Sequence, residues 1–361
     1  MLDASVGMDL PDFSIEVELV VEDEILVLFG PSGAGKTMTI KMIAGLERPD
    51  RGRVQIGGRT VYDDRAEVDL TPQLRNVGYV PQGSGVFPHL TALENVALPL
   101  LRGRRRYPKE EAVARSLTML ERFGLRTRAN ARPAQMSGGE IQRVALARVL
   151  ATEPDALLVD EPFAALDAPV RSGLRREFRE FQRELGVPAI FITHDIEEAA
   201  VVGDRLAIMV GGEIRQTGKP REVLDAPADR DVAALVQAGN MYDGHIIASP
   251  DGPVVEAAVG SLRVAGCGLS AGQRVTAVIR PEGIRVLRED RDISRFADAT
   301  ILQGVIVEIA DHGALTSVTA VVGSGHMTVT LSPTAASNLQ LLTGKPIRLA
   351  IPPERIHLIL S

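Results

Sequence analysis

Apolar positions fall into two textures along the 361 residues. From residue 1 to about 238, short unbroken apolar runs alternate with stretches at helical spacing. The runs Ile25–Phe29, Ala156–Val159, Ala189–Ile192 and Leu206–Val210 read as strands buried on both faces. Between the first and second, Ala92–Gly124 places apolar residues at Leu93, Val96 and Leu100, then at Val113, Leu117 and Leu120, the stripe of amphipathic helices. This predicts an α/β domain with a largely parallel sheet, interrupted by a helical subdomain at about 91–150. After Gly239 the runs become short and alternating, broken by Gly, Pro and Ser, which predicts small β-barrels. Within this half, Gly272–Ile284 aligns without gaps on Gly344–Ile356. Each copy follows a segment opening on glycine and β-branched residues, Gly244-His-Ile-Ile and Gly304-Val-Ile-Val. A domain at 239–361 built from two related units, about 243–288 and 300–361, is the simplest account.

The length suits two domains, each able to bury its own core. Hydrophobic residues make up 45% of the chain, and most are aliphatic, since aromatics reach only 4% and Trp is absent. That composition excludes disorder. The run Ile190–Val210 is too interrupted for a membrane span, holding His194, Asp195, Glu197, Glu198, Asp204 and Arg205. Asp3, Asp9 and Asp12 stand where a signal peptide would be basic or apolar, and the lone Cys267 fits a reducing compartment. The expectation is a cytosolic protein, or one that sits on a membrane without crossing it. A net charge of −7 argues against general nucleic-acid binding, and Arg102-Gly-Arg-Arg-Arg, with no aromatic interleaved, reads as a solvated loop.

Three segments carry chemistry. Gly30-Pro31-Ser32-Gly33-Ala34-Gly35-Lys36-Thr37 fits the phosphate-loop pattern, directly after a predicted strand and before the helical run Met38–Ala44. Glycines let the backbone close round an anion, Lys36 supplies a mobile charge for the β- and γ-phosphates, and the Thr37 hydroxyl can ligate Mg²⁺. Ala156-Leu-Leu-Val-Asp160-Glu161 is an apolar strand ending in two carboxylates at the carboxyl edge of the sheet. Asp160 is expected to hold Mg²⁺ and Glu161 to orient or deprotonate an attacking water. Third, Ser137-Gly138-Gly139-Glu140 opens a helix with an N-cap and unshielded N–H groups, a second anion-binding surface.

These strings occur together with Gln82 in Val80-Pro-Gln-Gly, Ala165-Leu-Asp167 and Ile192-Thr-His194, in the order found in ABC transporter ATPase subunits, which residues 25–210 closely resemble. The tail, with Arg280-Pro-Glu-Gly-Ile and Pro353-Glu-Arg-Ile, resembles the TOBE/MOP-like β-barrels appended to importer ATPases of the molybdate, sulfate, iron and polyamine type. The segment Val61–Pro72, before Asn76–Val80, looks most like the molybdate branch. The resemblance implies ATP and Mg²⁺ as cofactors. It implies two copies of the chain arranged head to tail, with ATP between the phosphate loop of one and Ser137-Gly-Gly of the other. Gln82 would sense Mg²⁺ and the attacking water, Asp167 would touch the partner's site, and His194 would contact the γ-phosphate. Permease subunits would dock near Gly83–Leu90 at the inner face of the cell membrane, with a substrate-binding protein outside and an oxyanion as a ligand of the tail. Three positions depart from the family: Glu140 replaces the usual Gln, Met38 replaces a hydroxyl residue, and the adenine-stacking aromatic has only Phe13 as a candidate. The expected function is ATP-driven uptake of molybdate or a related oxyanion, with sulfate, ferric iron, polyamine or phosphonate as alternative solutes. The rivals are a non-transport ABC ATPase and an oxyanion-sensing module.

Overall fold

The computed structural model describes residues 1–360 apart from Arg104, Ala165, Pro250, Asp251, Cys267, Leu269, 289–295 and Ala297. The lone cysteine, the middle of the arginine run and the first residue of Ala165-Leu-Asp167 therefore lie outside the described residues. The chain divides into two compact units, Met1–Arg221 and Glu222–Ser361.

The first unit holds an eleven-stranded sheet. Its strands are β1 (Leu2–Asp9), β2 (Ser14–Val21), β3 (Ile25–Phe29), β4 (Arg51–Ile56), β5 (Arg59–Asp63), β6 (Val68–Asp69), β7 (Val77–Val80), β8 (Ala156–Asp160), β9 (Ala189–Thr193), β10 (Arg205–Val210) and β11 (Glu213–Gly218). Their order across the sheet is β6-β5-β4-β1-β2-β11-β10-β3-β9-β8-β7. The run β10-β3-β9-β8-β7 is parallel throughout. Its three middle strands are buried at every position, as continuous apolar runs require. The run β6-β5-β4-β1-β2 on the other side is antiparallel and joins the rest through a parallel β2–β11 pair. In it β2 alternates strictly between exposed and buried, one face on the core and one on water.

Seven helices of this unit matter for the site: α1 (Lys36–Ala44), α2 (Pro72–Arg75), α3 (Ala92–Arg102), α4 (Lys109–Arg122), α5 (Gly138–Leu150), α6 (Ala168–Leu185) and α7 (Ile196–Val202). Helices α3, α4 and α5 follow one another between β7 and β8 and pack together, forming the helical insertion. The run tested as a membrane span is β9, α7 and β10. Among the described residues no helix is long and apolar enough to cross a membrane.

One buried cation ties this frame together. Arg75, 1% exposed, donates from Nη1 to the Met42 and Ile43 carbonyls at 2.8 and 2.9 Å, from Nε to the Leu70 carbonyl at 2.8 Å, and from Nη2 to Asp69 at 3.1 Å. It therefore satisfies the carbonyl end of α1, where a positive charge also opposes the helix dipole.

The second unit contains two five-stranded antiparallel sheets sharing one hydrophobic cluster. One is β14-β13-β12-β15-β21, from β12 (Asn240–Ser249), β13 (Gly252–Ala257), β14 (Gly260–Arg263), β15 (Arg274–Ile279) and β21 (Ile356–Leu360). The other is β16-β20-β17-β18-β19, from β16 (Arg285–Leu287), β17 (Thr300–Asp311), β18 (Thr316–Val322), β19 (Gly325–Leu331) and β20 (Pro346–Ile351). The internal repeat is a structural one. Gly244 pairs with Val275 in one sheet and Gly304 with Ile347 in the other, at equivalent places in the aligned copies. A Cβ at Gly244 would lie 2.4 Å from the Glu256 carbonyl, and one at Gly304 would lie 2.5 Å from that of Val321, so both copies require glycine there. Each copy then sends its last strand away. β16, which follows the first copy, joins the second sheet, and β21, which follows the second, joins the first. The texture change at Gly239 falls at the start of β12, inside this unit.

Replacing Arg75 with Gln leaves the carbonyl end of α1 and Asp69 without their charged partner. Urea denaturation of this variant is expected to show a loss of about 3 kcal/mol.

Candidate active site

Because β3, β9, β8 and β7 run parallel in register, their carboxyl ends align: Phe29 lies beside Thr193, Ile192 beside Asp160, and Val159 beside Val80. The residues that leave these ends, Gly30, His194, Glu161 and Gln82, therefore come to one edge whatever their distance in sequence.

The phosphate loop leaves β3 and turns into α1 through Gly33 (φ +82°) and Gly35 (φ +101°), left-handed conformations that favour glycine. At Gly30 a Cβ would stand 2.1 Å from the Met209 carbonyl, so no side chain fits. Lys36 is buried, and its Nζ donates to the Gly30 and Pro31 carbonyls at 2.9 and 2.8 Å, arching over the loop. Burial lowers its proton affinity, and the charges of Glu161 and Asp160 pull it back up. Pro31 and Ser32 are exposed, Ala34 is buried, and Met38 packs against the core of this unit. The side chain of Met38 thus serves packing.

The Thr37 hydroxyl donates to Asp160 Oδ1 at 3.2 Å, across a sequence gap of 123 residues. Asp160 is 2% exposed. Its carboxyl is pushed above the usual range by burial, assisted by the neighbouring charge of Glu161, while the Thr37 hydrogen bond and the charges of Lys41 and Lys36 act the other way. Glu161 has a left-handed backbone (φ +43°), unusual for a residue with a side chain, and its N–H donates to the Ile192 carbonyl at 3.1 Å. One oxygen of its carboxylate lies 3.1 Å from His194 Nδ1, and the other accepts from Gln82 Nε2 at 3.2 Å. Gln82, Glu161 and His194 thus form one chain of contacts, next to the Thr37–Asp160 pair.

The start of α5 stands apart from this cluster. Ser137 Oγ accepts from Glu140 N–H at 3.2 Å, and Glu140 Oε2 accepts from Ser137 N–H at 2.9 Å, a complete capping box. This is what Glu at position 140 does locally. A Cβ on Gly139 would reach Val170 at 2.6 Å, so Gly139 lets the starts of α5 and α6 approach. Asp167 caps α6, its Oδ1 accepting from Val170 N–H at 3.1 Å. Ser137, Gly138 and Asp167 are exposed. No described side chain links them to the phosphate loop, so within one chain the predicted residues form two groups.

Several supporting residues were not singled out from the sequence. Arg171 on α6 donates to the Leu166 carbonyl at 2.8 Å and reaches Asp195 at 3.4 Å. One turn on, Arg175 reaches the same Asp195 and binds the buried Glu198 at 2.8 Å. Glu198 in turn accepts from Thr193 Oγ1, whose oxygen accepts from Asp195 N–H at 3.1 Å. Both neighbours of His194 are therefore pinned to α6. On the other side, buried Asn95 grips the N–H and carbonyl of Phe87 and the carbonyls of Leu90 and Thr91, while Arg148 holds the Gly85 carbonyl at 2.7 Å. These contacts shape the segment after Gln82. The signal available was the i, i+4 spacing of Arg171 and Arg175, and a polar Asn on an apolar helix face. Phe13 is half-buried, packs against the core and precedes Ser14. Ser14 abuts Gly212, whose N–H donates to the Ala34 carbonyl at 3.1 Å, so Phe13 lies near the phosphate loop.

The described residues contain no cluster of three His, Cys, Asp or Glu side chains able to cage a metal alone. The hard oxygens of Thr37 and Asp160, side by side, instead suit Mg²⁺, which takes one or two protein ligands together with substrate phosphates.

Known proteins match this chain in both units. The ABC transporter family model matches residues 15–164, and the TOBE domain model matches 297–358. The trehalose/maltose import ATP-binding protein of Thermococcus litoralis is 41% identical over 238 residues, covering 66% of this chain and 63% of that protein. The molybdate/tungstate import ATP-binding protein of Pyrococcus horikoshii is 33% identical over 355 residues, 98% of each chain. Among solved structures, the ATP-binding cassette MJ0796, in a dimeric post-hydrolysis state bound to ADP and Pi, superposes with a TM-score of 0.53 at 33% identity, covering 61% of this chain and 99% of that one. Other relatives are import ATP-binding proteins for spermidine/putrescine and for Fe(3+) ions. With a phosphate loop, an Asp-Glu strand end and a His-bearing strand end on one edge, and relatives of this kind along its length, the chain belongs to the ABC transporter ATPases, in the group of importer ATP-binding subunits with a TOBE domain.

Proposed function

We propose that the chain is the ATP-hydrolysing subunit of an importer, working as a homodimer on the cytoplasmic face of the membrane beneath separate permease subunits served by a substrate-binding protein. Residues 1–238 would form the ATPase half and 239–361 a regulatory half able to bind the transported oxyanion. The observation that carries the reading is the joining of Gln82, Glu161 and His194 beside Thr37 and Asp160, at the mouth of a phosphate loop.

Backbone N–H groups of residues 32–38, at the loop and the start of α1, hold the triphosphate, and Lys36 turns from the Gly30 and Pro31 carbonyls to its β- and γ-oxygens. Mg²⁺ would be held by Thr37, Asp160 and the Gln82 carboxamide, and when bound it neutralises charge on the phosphate oxygens. Glu161 accepts the proton of the attacking water, with Gln82 holding that carboxylate in place. His194 contacts the γ-phosphate, its ring oriented by its Nδ1 contact with Glu161. No contact among the described residues joins Ser137, Gly138, Gly139 and Glu140 to the phosphate loop of their own chain. Two chains arranged head to tail would bring these residues, and Asp167, to the ATP held by the partner. The dimeric state of MJ0796 supports this arrangement.

For the solute we propose molybdate or a related oxyanion. Support comes from the Pyrococcus relative, whose match runs through the ATPase unit and the tail alike. Calorimetry on the cognate substrate-binding protein tests it: tight binding of a polyamine, ferric iron or a sugar, with none of molybdate, assigns the importer to another solute.

Glu161→Gln removes the proton acceptor but keeps the shape. Hydrolysis is expected to fall about 100-fold or more, while ATP now drives a stable dimer detectable by light scattering. Lys36→Ala is expected to weaken nucleotide binding, and unchanged ATP affinity would refute the role of the loop. Asp160→Asn is expected to abolish Mg²⁺-dependent turnover and to raise Tm at pH 7. The native carboxyl holds its proton more tightly than in the unfolded chain, so its ionised form costs stability as pH rises above the usual carboxylate range. Phe13→Ala is expected to raise the KM for ATP about fivefold if Phe13 stacks on adenine.

A further inference from the structure

Glu140 brings a carboxylate to the start of α5, a segment proposed above to receive a triphosphate from a second copy. An ionised carboxylate there repels the phosphates, and the repulsion is large where water is excluded between two chains. The structure contains a counterweight. Arg128 lies in a short helical turn, Arg126–Arg128, between α4 and α5, and its Nε stands 3.2 Å from Glu140 Oε1. The other carboxylate oxygen is already committed to the Ser137 N–H. The pair is half-shielded, with side-chain exposures of 39% and 27%, and the Arg128 Nε is itself buried, with the angle to Glu140 too poor for a hydrogen bond. Arg128 therefore acts on Glu140 chiefly through charge. Its Nη2 donates to the Gln135 carbonyl, which anchors the guanidinium in the chain leading to Ser137.

We infer that Arg128 is a positioning residue for ATP-driven dimer closure: it cancels the charge of Glu140, so that the start of α5 presents the Gly138 and Gly139 N–H groups, which the capping box leaves uncommitted, to the partner's triphosphate without a net negative charge. The inference rests on the composite-site reading and deepens it. Glu140 keeps the geometry of the capping box, and Arg128 removes the electrostatic penalty that comes with a carboxylate in that place.

The test uses the full-length Glu161→Gln chain, in which ATP accumulates without turnover, and reads the ATP concentration needed for half-maximal dimerisation by light scattering. Adding Arg128→Gln is expected to raise that concentration about tenfold at low ionic strength, with the difference shrinking at high salt. Arg128→Lys, which keeps the charge, is expected to stay within about twofold. The decisive chain carries Glu161→Gln, Arg128→Gln and Glu140→Gln together. With the carboxylate gone no counterion is needed, and dimerisation should return to the concentration of the Glu161→Gln parent. Loss of dimerisation that the added Glu140→Gln does not restore would mean that Arg128 acts only through its anchor on Gln135, and the inference fails. It fails equally if Arg128→Gln changes nothing. If the Glu161→Gln parent itself does not dimerise with ATP, the composite-site reading is what fails.

Discussion

Everything at the candidate catalytic edge depends on keeping a lysine and two carboxylates close together, mostly out of water, without letting them collapse into a fixed ion pair. Lys36 is held by two loop carbonyls, Asp160 by the Thr37 hydroxyl, and Glu161 by Gln82 and His194. Each charge has a polar partner that is not its opposite charge. That leaves Lys36 and Glu161 without a fixed ion pair, as the roles proposed for them require, whereas a direct Lys–Asp bridge would tie up both groups. The cost appears as reduced proton affinity at Lys36 and raised affinity at Asp160, both driven first by burial.

The rest of the first unit serves that arrangement. Parallel strands bring four strand ends to one edge, and Arg75 closes the far end of the helix whose near end follows the Gly30–Thr37 loop. Arg171 and Arg175 fix the residues on either side of His194, while Asn95 and Arg148 shape the segment beyond Gln82. Long arginines suit this work because one planar fork can reach several carbonyls and carboxylates at once. The second unit solves a different problem. Two short repeats cannot each close a barrel, and by exchanging their final strands they complete each other's sheets around a single core.

Much of this was legible in the residues. The four buried strand cores emerged within a residue at their ends, because a strand buried on both faces must be apolar at every position. The phosphate loop was legible for a similar reason: only glycine tolerates φ near +100° and a carbonyl 2.1 Å from where a Cβ would be. The helical insertion showed in its apolar spacing. The β repeat showed in its aligned glycines, because both copies bring neighbouring backbone to the same place. The supporting arginines did not show, since a charged residue at an exposed-looking helical position is indistinguishable from a solvated one until its partners are known.

By itself, then, the sequence determined which backbone segments can exist, since these follow from local sterics and hydrophobic periodicity, and it named the candidate side chains for the site. Only the tertiary structure decided what meets what. Thr37 and Asp160 are 123 residues apart in sequence yet share a hydrogen bond. Glu140 meets Arg128 at 3.2 Å, and β16 and β21 each complete the other repeat's sheet. Pairings of this kind depend on strand order and helix packing over the whole domain, and no local pattern of residues encodes them.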